Sequence, residues 1–276
     1  MPKEIKKCII PVAGYGSRLF PATITTSKTL LPLGNKPTLS YLLEECMFAG
    51  LKEIILIISP EQVDVVKYLS LEHLDTLLKV FPTNKDLLAH KALIEYFDAI
   101  KFHIQLHPDG LGNAIYLAKA YLENDEDVAV ILGDNPTIDN CGKGIIELIK
   151  KYRENPKASY IGLKKIPVED HCKYGMVSLN FDRDKLITGL LEKPQNMPCS
   201  DYAIFGRYIL KYDVFDHIKY QKKYHKNKEL NLTTPLSDYL YEHGKIYGVI
   251  LEADILDTGN PVDYAKAFEK AMKGIN

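Results

Sequence analysis

The chain has 276 residues, a formal net charge of −1, and 46% hydrophobic and 26% charged residues. A nearly neutral chain of ordinary globular composition has no global field for nucleic acid, so any polyanion it handles must be met by local cations. No stretch reaches the roughly 18 apolar residues that cross a membrane, and the opening MPKEIKKCIIPVAG reads as no secretory signal because its apolar run is short.

Residues 6–12 read as a buried strand and 38–49, TLSYLLEECMFA, as a helix with apolar residues at helical spacing. Gly50 stands where a helix C-cap belongs. KEIILIIS, 52–59, is a second strand, and Pro60 and Glu61 are expected to open the next helix. Residues 71–99 are mostly helical and look like an insertion before strand KFHIQL, 101–106. AIYLAKAYL, 114–122, reads as a helix. DVAVILGD, 127–134, reads as a buried strand ending on Asp134, and 144–154 as another helix.

Beyond residue 158 the pattern changes. SYIGLKKI, YGMVSLNF, LITGLLEK and YAIFGRYIL are strand-like, 214–219 and 235–243 look helical, and IYGVILEA and PVDYAKAFEKAMK close the chain as strand and helix. The first half alternates strand and helix, which argues for a parallel sheet covered on both faces. No repeat or linker divides the chain. A single α/β domain is expected over 1–276, with a nucleotide-binding half at about 1–155 and a more antiparallel half at about 156–276, which the family resemblance given below makes sugar-binding. The five cysteines, Cys8, Cys46, Cys141, Cys172 and Cys199, are widely spaced without a C-x-x-C pair, and read as free thiols in a reducing cytoplasm. The eight histidines show no metal spacing, and QKKYHKNKE, 221–229, reads as a solvated loop.

GYGSRLFP, 14–21, follows the first strand. Glycines at a strand-to-helix turn let backbone N–H groups approach a phosphate. Leu19 occupies the third-glycine place of a dinucleotide fingerprint, and no triphosphatase loop occurs, so the glycines alone fit a tight turn equally well. Arg18 adds a fixed guanidinium fork suited to phosphate, and Lys28 follows ten residues later.

VAGYGSRLFP with SKTLLPLGNKP resembles the opening signature of the sugar-1-phosphate nucleotidylyltransferases. Six further blocks fall in that family's order: PDGLGNA (108–114), LGDN (132–135), KYGMV (173–177), LEKP (191–194), FGRYIL (205–210) and LDTGNPVDYAKA (256–267). The resemblance implies a Rossmann-like mixed, mainly parallel sheet flanked by helices. Within the family, the helical insertion, SDYAIFGRYIL and ELNLTTPLSDYL are similar to the uridylyl-transferring branch, which uses UTP and glucose 1-phosphate. SKTLLP, PDGL and LGDN are closer to the thymidylyl branch, Thr29 stands where the uridylyl branch has Glu, and Thr234-Pro235 stands where it has Asp-Ala.

The resemblance implies that an oxygen of a sugar 1-phosphate attacks the α-phosphorus of a nucleoside triphosphate. Arg18, Lys28 and Lys193 would be the catalytic cations. Ala13, Gly14, Gly16, Gln105 and Gly110 would hold the nucleotide, with the Gln105 amide reading a pyrimidine edge. Gly175, Glu192 and Lys193 would hold the sugar phosphate. Asp134 and Asp257 would hold Mg²⁺, with Asp139, Asp254 and Asp263 as nearby alternatives. The family also implies a homo-oligomer, a dimer or tetramer. Competing readings are a transferase for dTTP or another hexose 1-phosphate, a catalytically weak nucleotide-sugar-binding paralogue, and a nucleotide-dependent oxidoreductase. Retention of the full charged set counts against the paralogue, and the missing third glycine counts against the oxidoreductase.

Overall fold

A computed structural model describes residues 4–138, 143–196, 200–224 and 229–273. Asp139, Cys141 and Cys199 lie outside them. In chain order the elements are β1 (Lys7–Pro11), β2 (Pro32–Leu33), β3 (Lys36–Pro37), α1 (Thr38–Phe48), β4 (Glu53–Ile58), α2 (Val63–Tyr68), α3 (Leu71–Val80), α4 (Lys85–Glu95), β5 (Ala99–Ile104), α5 (Leu111–Leu117) and β6 (Val128–Ile131). There follow α6 (Ile145–Glu154), β7 (Ser159–Lys165), β8 (Gly175–Asn180), β9 (Leu186–Glu192), β10 (Tyr202–Leu210), α7 (Val214–Tyr224), α8 (Thr233–His243), β11 (Ile246–Ile250) and α9 (Pro261–Lys273).

β1, β4 and β6 are short apolar runs because both their faces are covered, whereas β5 at the sheet edge is only partly buried. Side chains alternate across the pleat. Cys8 and Ile10 enter a core with α1 and α6, whereas Ile9 enters a core with α5, α7 and α8. One nine-stranded sheet results, in the order β5-β4-β1-β6-β10-β7-β11-β9-β8. Neighbours from β5 to β6 are parallel. β10 and β9 run against their neighbours and so against the other seven strands, which makes the sheet mixed but mainly of one direction. β10, from late in the chain, lies between β6 and β7. Its Arg207 is wholly buried and pairs with Glu45 of α1 at 2.5 Å (Nη2–Oε2). Glu45 also accepts hydrogen bonds from Thr137 and from the Ile145 N–H at the start of α6. Arg207 of the FGRYIL block is therefore a structural tie.

Several expected boundaries move. α2 begins at Val63, not Pro60, because residues 59–62 form a turn. There the Gln62 amide accepts from the Ser59 N–H and donates to the Val12 carbonyl. β5 spans Ala99–Ile104, and α5 starts at Leu111, directly after Gly110. β6 stops at Ile131, so Asp134 lies in the turn beyond the strand and not at its last position. α7 runs on to Tyr224, so Gln221–Tyr224 of the expected solvated loop are helical, and Gln221 donates to Asp238 of α8. Gly50 has φ +79 after α1, as a C-terminal cap requires.

Candidate active site

Parallel strands deliver their carboxyl ends to one edge of the sheet, where open α/β folds take their ligands. The loop after β1, the residue after β5 and the turn after β6 meet there around a cavity of about 440 Å³. Gly14 and Gly16 line it, and Gly16 is left-handed at φ +64. A Cβ on Gly16 would stand 3.1 Å from both Thr23 Cγ2 and Lys28 Cβ. The loop thus folds tightly onto the second cationic segment, and the Thr23 hydroxyl donates to the Gly16 carbonyl at 2.8 Å. The next turn, Ser17–Leu19, buries Leu19 and leaves Arg18 exposed at the cavity. Ser27 anchors the Lys28–Leu30 turn by donating to Asp64 through both its N–H and its hydroxyl.

The far wall is the PDGLG segment. Gln105 is buried, and its amide donates to the Gly110 carbonyl at 3.3 Å. Gly110 has φ +92, and a Cβ there would stand 2.6 Å from the backbone N and O of Leu230. Leu230 donates its N–H to Asp109 O and accepts from the Gly112 N–H, both at 2.8 Å. This second glycine turn is therefore stapled to the ELNL segment that leads into α8.

A larger cavity of about 710 Å³ adjoins the first, and the two share Arg18, Gly110, Leu111, Asp134 and Gly259 as common wall. Gly175 and Glu192 face each other across β8 and β9 and line it. Thr233, first residue of α8, donates its hydroxyl to Glu192 Oε2 at 2.5 Å. Lys193 has φ +42, a left-handed conformation that a non-glycine residue adopts at a cost. Its N–H donates to the Tyr174 carbonyl, and its half-exposed ammonium lies 3.8 Å from Glu192 Oε1. Tyr208 is buried beside this cavity, and burial, then the Glu192 charge, pushes its phenol up.

Asp134 and Asp257 meet at the junction. Thr258 donates both its N–H (2.9 Å) and its hydroxyl (3.0 Å) to the Asp134 carbonyl, which zips the two segments together. The position a Gly259 Cβ would take is 2.8 Å from Asp257 Oδ1 and 3.7 Å from Asp134 Oδ2. Lys28 Nζ lies 3.0 Å from Asp134 Oδ2. Removal from water works to raise the Asp134 carboxyl, but the Lys28 charge and hydrogen bond override it and hold it below the ordinary value. Burial, with the negative charge of Asp134, raises the Asp257 carboxyl, against hydrogen bonds from the Gly259 N–H (2.7 Å) and the Tyr174 hydroxyl (3.0 Å). Two hard oxygen donors forced together, with one short of compensation, suit a divalent cation. Of the nearby alternatives, Asp254 is taken by Lys270 at 2.5 Å, and Asp263 pairs with Asn260 and Lys266.

The chain matches the nucleotidyl transferase family over residues 7–274. It belongs to that family. A UTP–glucose-1-phosphate uridylyltransferase of Mycoplasma pneumoniae is 35% identical, the match covering 97% of this chain and 92% of the relative. A second uridylyltransferase, from Staphylococcus saprophyticus, is 31% identical over 98% and 93% of the two chains. Among solved structures, a UDP-glucose pyrophosphorylase complexed with UDP-glucose aligns at TM-score 0.83 with 28% identity, covering 98% of this chain and 99% of that one. A UTP-bound enzyme of the same kind from Acinetobacter baumannii aligns at 0.82 with 26% identity, covering 96% and 93%.

In this nucleotidyl transferase, every residue given a site role from sequence lines one or both cavities, whereas of the alternative carboxylates Asp263 lines the second and Asp254 lines neither. Ala13, Gly14, Gly16, Lys28, Gln105 and Gly110 line the first, together with Arg18. Gly175, Glu192, Lys193 and Asp257 line the second, which Arg18 and Asp134 also border. Sequence reasoning missed Tyr174, Thr258 and Thr233. The first two adjoin residues already in recognised blocks, KYGMV and LDTG, and could have been found there. Thr233 carries no comparable signal, since its partner Glu192 is far along the chain.

Proposed function

We propose that the chain joins UTP and glucose 1-phosphate to give UDP-glucose and pyrophosphate. The observation that carries this reading is the pair of adjoining cavities with Arg18 and Asp134 in their common wall. One cavity is glycine-lined, with Arg18 and Lys28 as its cations beside Asp134 and Glu229, and the other is lined largely by hydroxyl and carboxylate groups. The relatives named for UTP and glucose 1-phosphate, and the neighbours holding UTP and UDP-glucose, support the assignment of substrates.

In the reaction we assign, an oxygen of glucose 1-phosphate attacks the α-phosphorus of UTP. A new P–O bond forms there, the bond from the α-phosphorus to the α–β bridging oxygen breaks, and its electron pair leaves on pyrophosphate. Both reactants are anions, so charge and alignment dominate the barrier. Arg18 is assigned to the departing β- and γ-phosphates, where its planar fork binds two oxygens at once. Lys28 is assigned beside it, and Lys193 to the sugar phosphate and α-phosphate. Ala13, Gly14, Gly16 and Gly110 offer backbone to the nucleotide, and the buried Gln105 amide suits a pyrimidine edge. Gly175 leaves room for the hexose, and Glu192 accepts from its hydroxyls. Asp134 and Asp257 are assigned to Mg²⁺, which when bound would offset charge on the phosphate oxygens. The place of Asp257 beside Asp134, with burial and that neighbouring charge raising its carboxyl, supports that assignment.

We also propose one domain, since β10 of the second half sits inside the first half's sheet. A cytoplasmic location is supported by the free thiols of Cys8, Cys46 and Cys172. A homo-oligomer rests on family resemblance alone. Among the described residues no helix is long and apolar enough to cross a membrane, and no nucleic-acid partner is proposed.

The deciding test is pyrophosphate release with Mg²⁺ and glucose 1-phosphate, comparing UTP, dTTP, CTP, ATP and GTP, with Asp134→Asn as control. UTP is expected to be preferred and the near-isosteric Asn variant to lose turnover while keeping its fold. A dTTP preference would move the chain to the thymidylyl branch, which SKTLLP and LGDN resemble. Silence with all five nucleotides would point to a different sugar 1-phosphate or to the binding paralogue.

A further inference from the structure

On the α7–α8 face, three side chains that line neither cavity bring metal-binding atoms together. His217 projects from α7, and Glu242 and His243 are the last two residues of α8. Their ligand atoms all lie within 4.8 Å of one another. His217 Nε2 stands 3.7 Å from Glu242 Oε2. The two imidazoles meet edge to face, with centroids 5.5 Å apart and planes at 86°. The histidine spacing in the sequence shows nothing of this, because the pair exists only where the two helices pack.

The neighbourhood restrains the rings. Tyr239 is buried and packs against both of them, 5.5 Å from His217 and 4.7 Å from His243. Gly244, at φ +60, closes α8 by donating its N–H to Leu240 O at 2.7 Å, which fixes the backbone next to His243. Glu242 is 62% exposed and free to swing inward.

Two imidazole nitrogens and one carboxylate oxygen form a borderline donor set that suits zinc, with an open fourth position. Metal–ligand bonds of about 2.0–2.2 Å need the three atoms somewhat closer than they stand, a contraction within reach of rotations about the exposed Glu242 and His243 side chains. Mg²⁺ demands oxygen ligands and is a poor match. We propose that His217, Glu242 and His243 bind one Zn²⁺ that clasps α7 to the carboxyl end of α8. The carboxylate pair Asp134–Asp257 and this cluster thus select different ions. The clasp braces the helix whose first residue, Thr233, holds Glu192, and it is independent of which nucleotide the enzyme uses.

The test is calorimetric titration of ZnCl₂ into the tag-free, chelator-stripped full chain, in excess MgCl₂, alongside thermal melting. One zinc per chain and a higher melting temperature are expected, undiminished by Mg²⁺. Glu242→Gln alters an exposed residue and should leave metal-free melting unchanged, and His243→Gln, also at an exposed residue, gives up in addition a ring contact with Tyr239, so its zinc affinity is read against its own metal-free melting. Each should weaken zinc binding at least about tenfold, the loss that even an outer partner of a metal ligand produces. His217→Ala should do the same, but the His217 ring is largely buried, so this variant stands behind the other two. No saturable zinc binding, or an affinity in both exposed variants within about twofold of the parent, would overturn the proposal.

Discussion

The two cavities share a wall but are made of different material. The side assigned to the nucleotide is chiefly backbone: Gly14 and Gly16 after β1, and Gly110 stapled to Leu230, with Arg18 and Lys28 as its cations. The side assigned to the sugar is chiefly side chains drawn from separate segments, with Tyr174 on Asp257 and Thr233 on Glu192. Backbone recognition depends on where glycine permits the chain to go, so a single methyl group can displace a whole wall. Side-chain recognition depends on hydrogen bonds held one at a time, so losses there should be smaller and confined to one substrate.

Gly110→Ala should produce the largest effect. The added Cβ meets main-chain atoms of Leu230 at 2.6 Å, and φ +92 suits no side chain. Neither neighbour is a flexible side-chain end that can rotate away, so the PDGLG turn and the segment before α8 must separate. A displacement of about 1 Å at a reacting centre is worth roughly 100-fold in rate. We expect kcat/KM to fall by about that factor, with KM for UTP rising. Steady-state kinetics in both substrates would check it, and a UTP KM unchanged in the Ala variant would refute the backbone account of this wall.

Thr233→Val should act on one substrate only. It removes the donor to Glu192 Oε2 at nearly constant volume and leaves a partly buried carboxylate without that partner, a loss of about 1–3 kcal/mol. KM for glucose 1-phosphate should rise by about tenfold, with KM for UTP held. Equal changes in both KM values would mean that α8 had shifted as a whole and that the two walls are not separable.

This contrast also explains what was legible in the chain. Continuous apolar runs marked β1, β4 and β6, and the glycine loop pointed to the cavity that Gly14, Gly16 and Arg18 line. Glycines and lone cations in a short segment leave a local mark. The start of α2 did not, because Gln62 reaches back to Ser59 and Val12, a tertiary contact that delays the helix past Pro60. Thr233 and the His217–His243 pair were illegible for a related reason. Their chemistry depends on partners supplied by packing, and a Thr or His in an amphipathic helix looks alike with or without one.

The smallest effect lies where the walls meet. Asp257 carries a raised carboxyl because burial and the charge of Asp134 penalise its ionised form. A carboxyl whose folded pKa is raised costs no stability below the ordinary carboxylate range, and it costs progressively more as pH rises toward its folded value. Asp257→Asn removes that cost and keeps an oxygen to accept from the Gly259 N–H. In EDTA at pH 8 the variant should therefore melt about 1–2 °C higher than the parent, since roughly 1 kcal/mol moves a chain of this size by a few degrees. On the assignment of Mg²⁺ to Asp134 and Asp257, adding MgCl₂ should reverse the order, because only the parent keeps both carboxylates for the ion. An Asn variant that melts lower than the parent in EDTA would show that the Tyr174 and Gly259 hydrogen bonds outweigh the repulsion. In that case the two carboxylates are held together by the fold without strain, and the cation is not needed to relieve it.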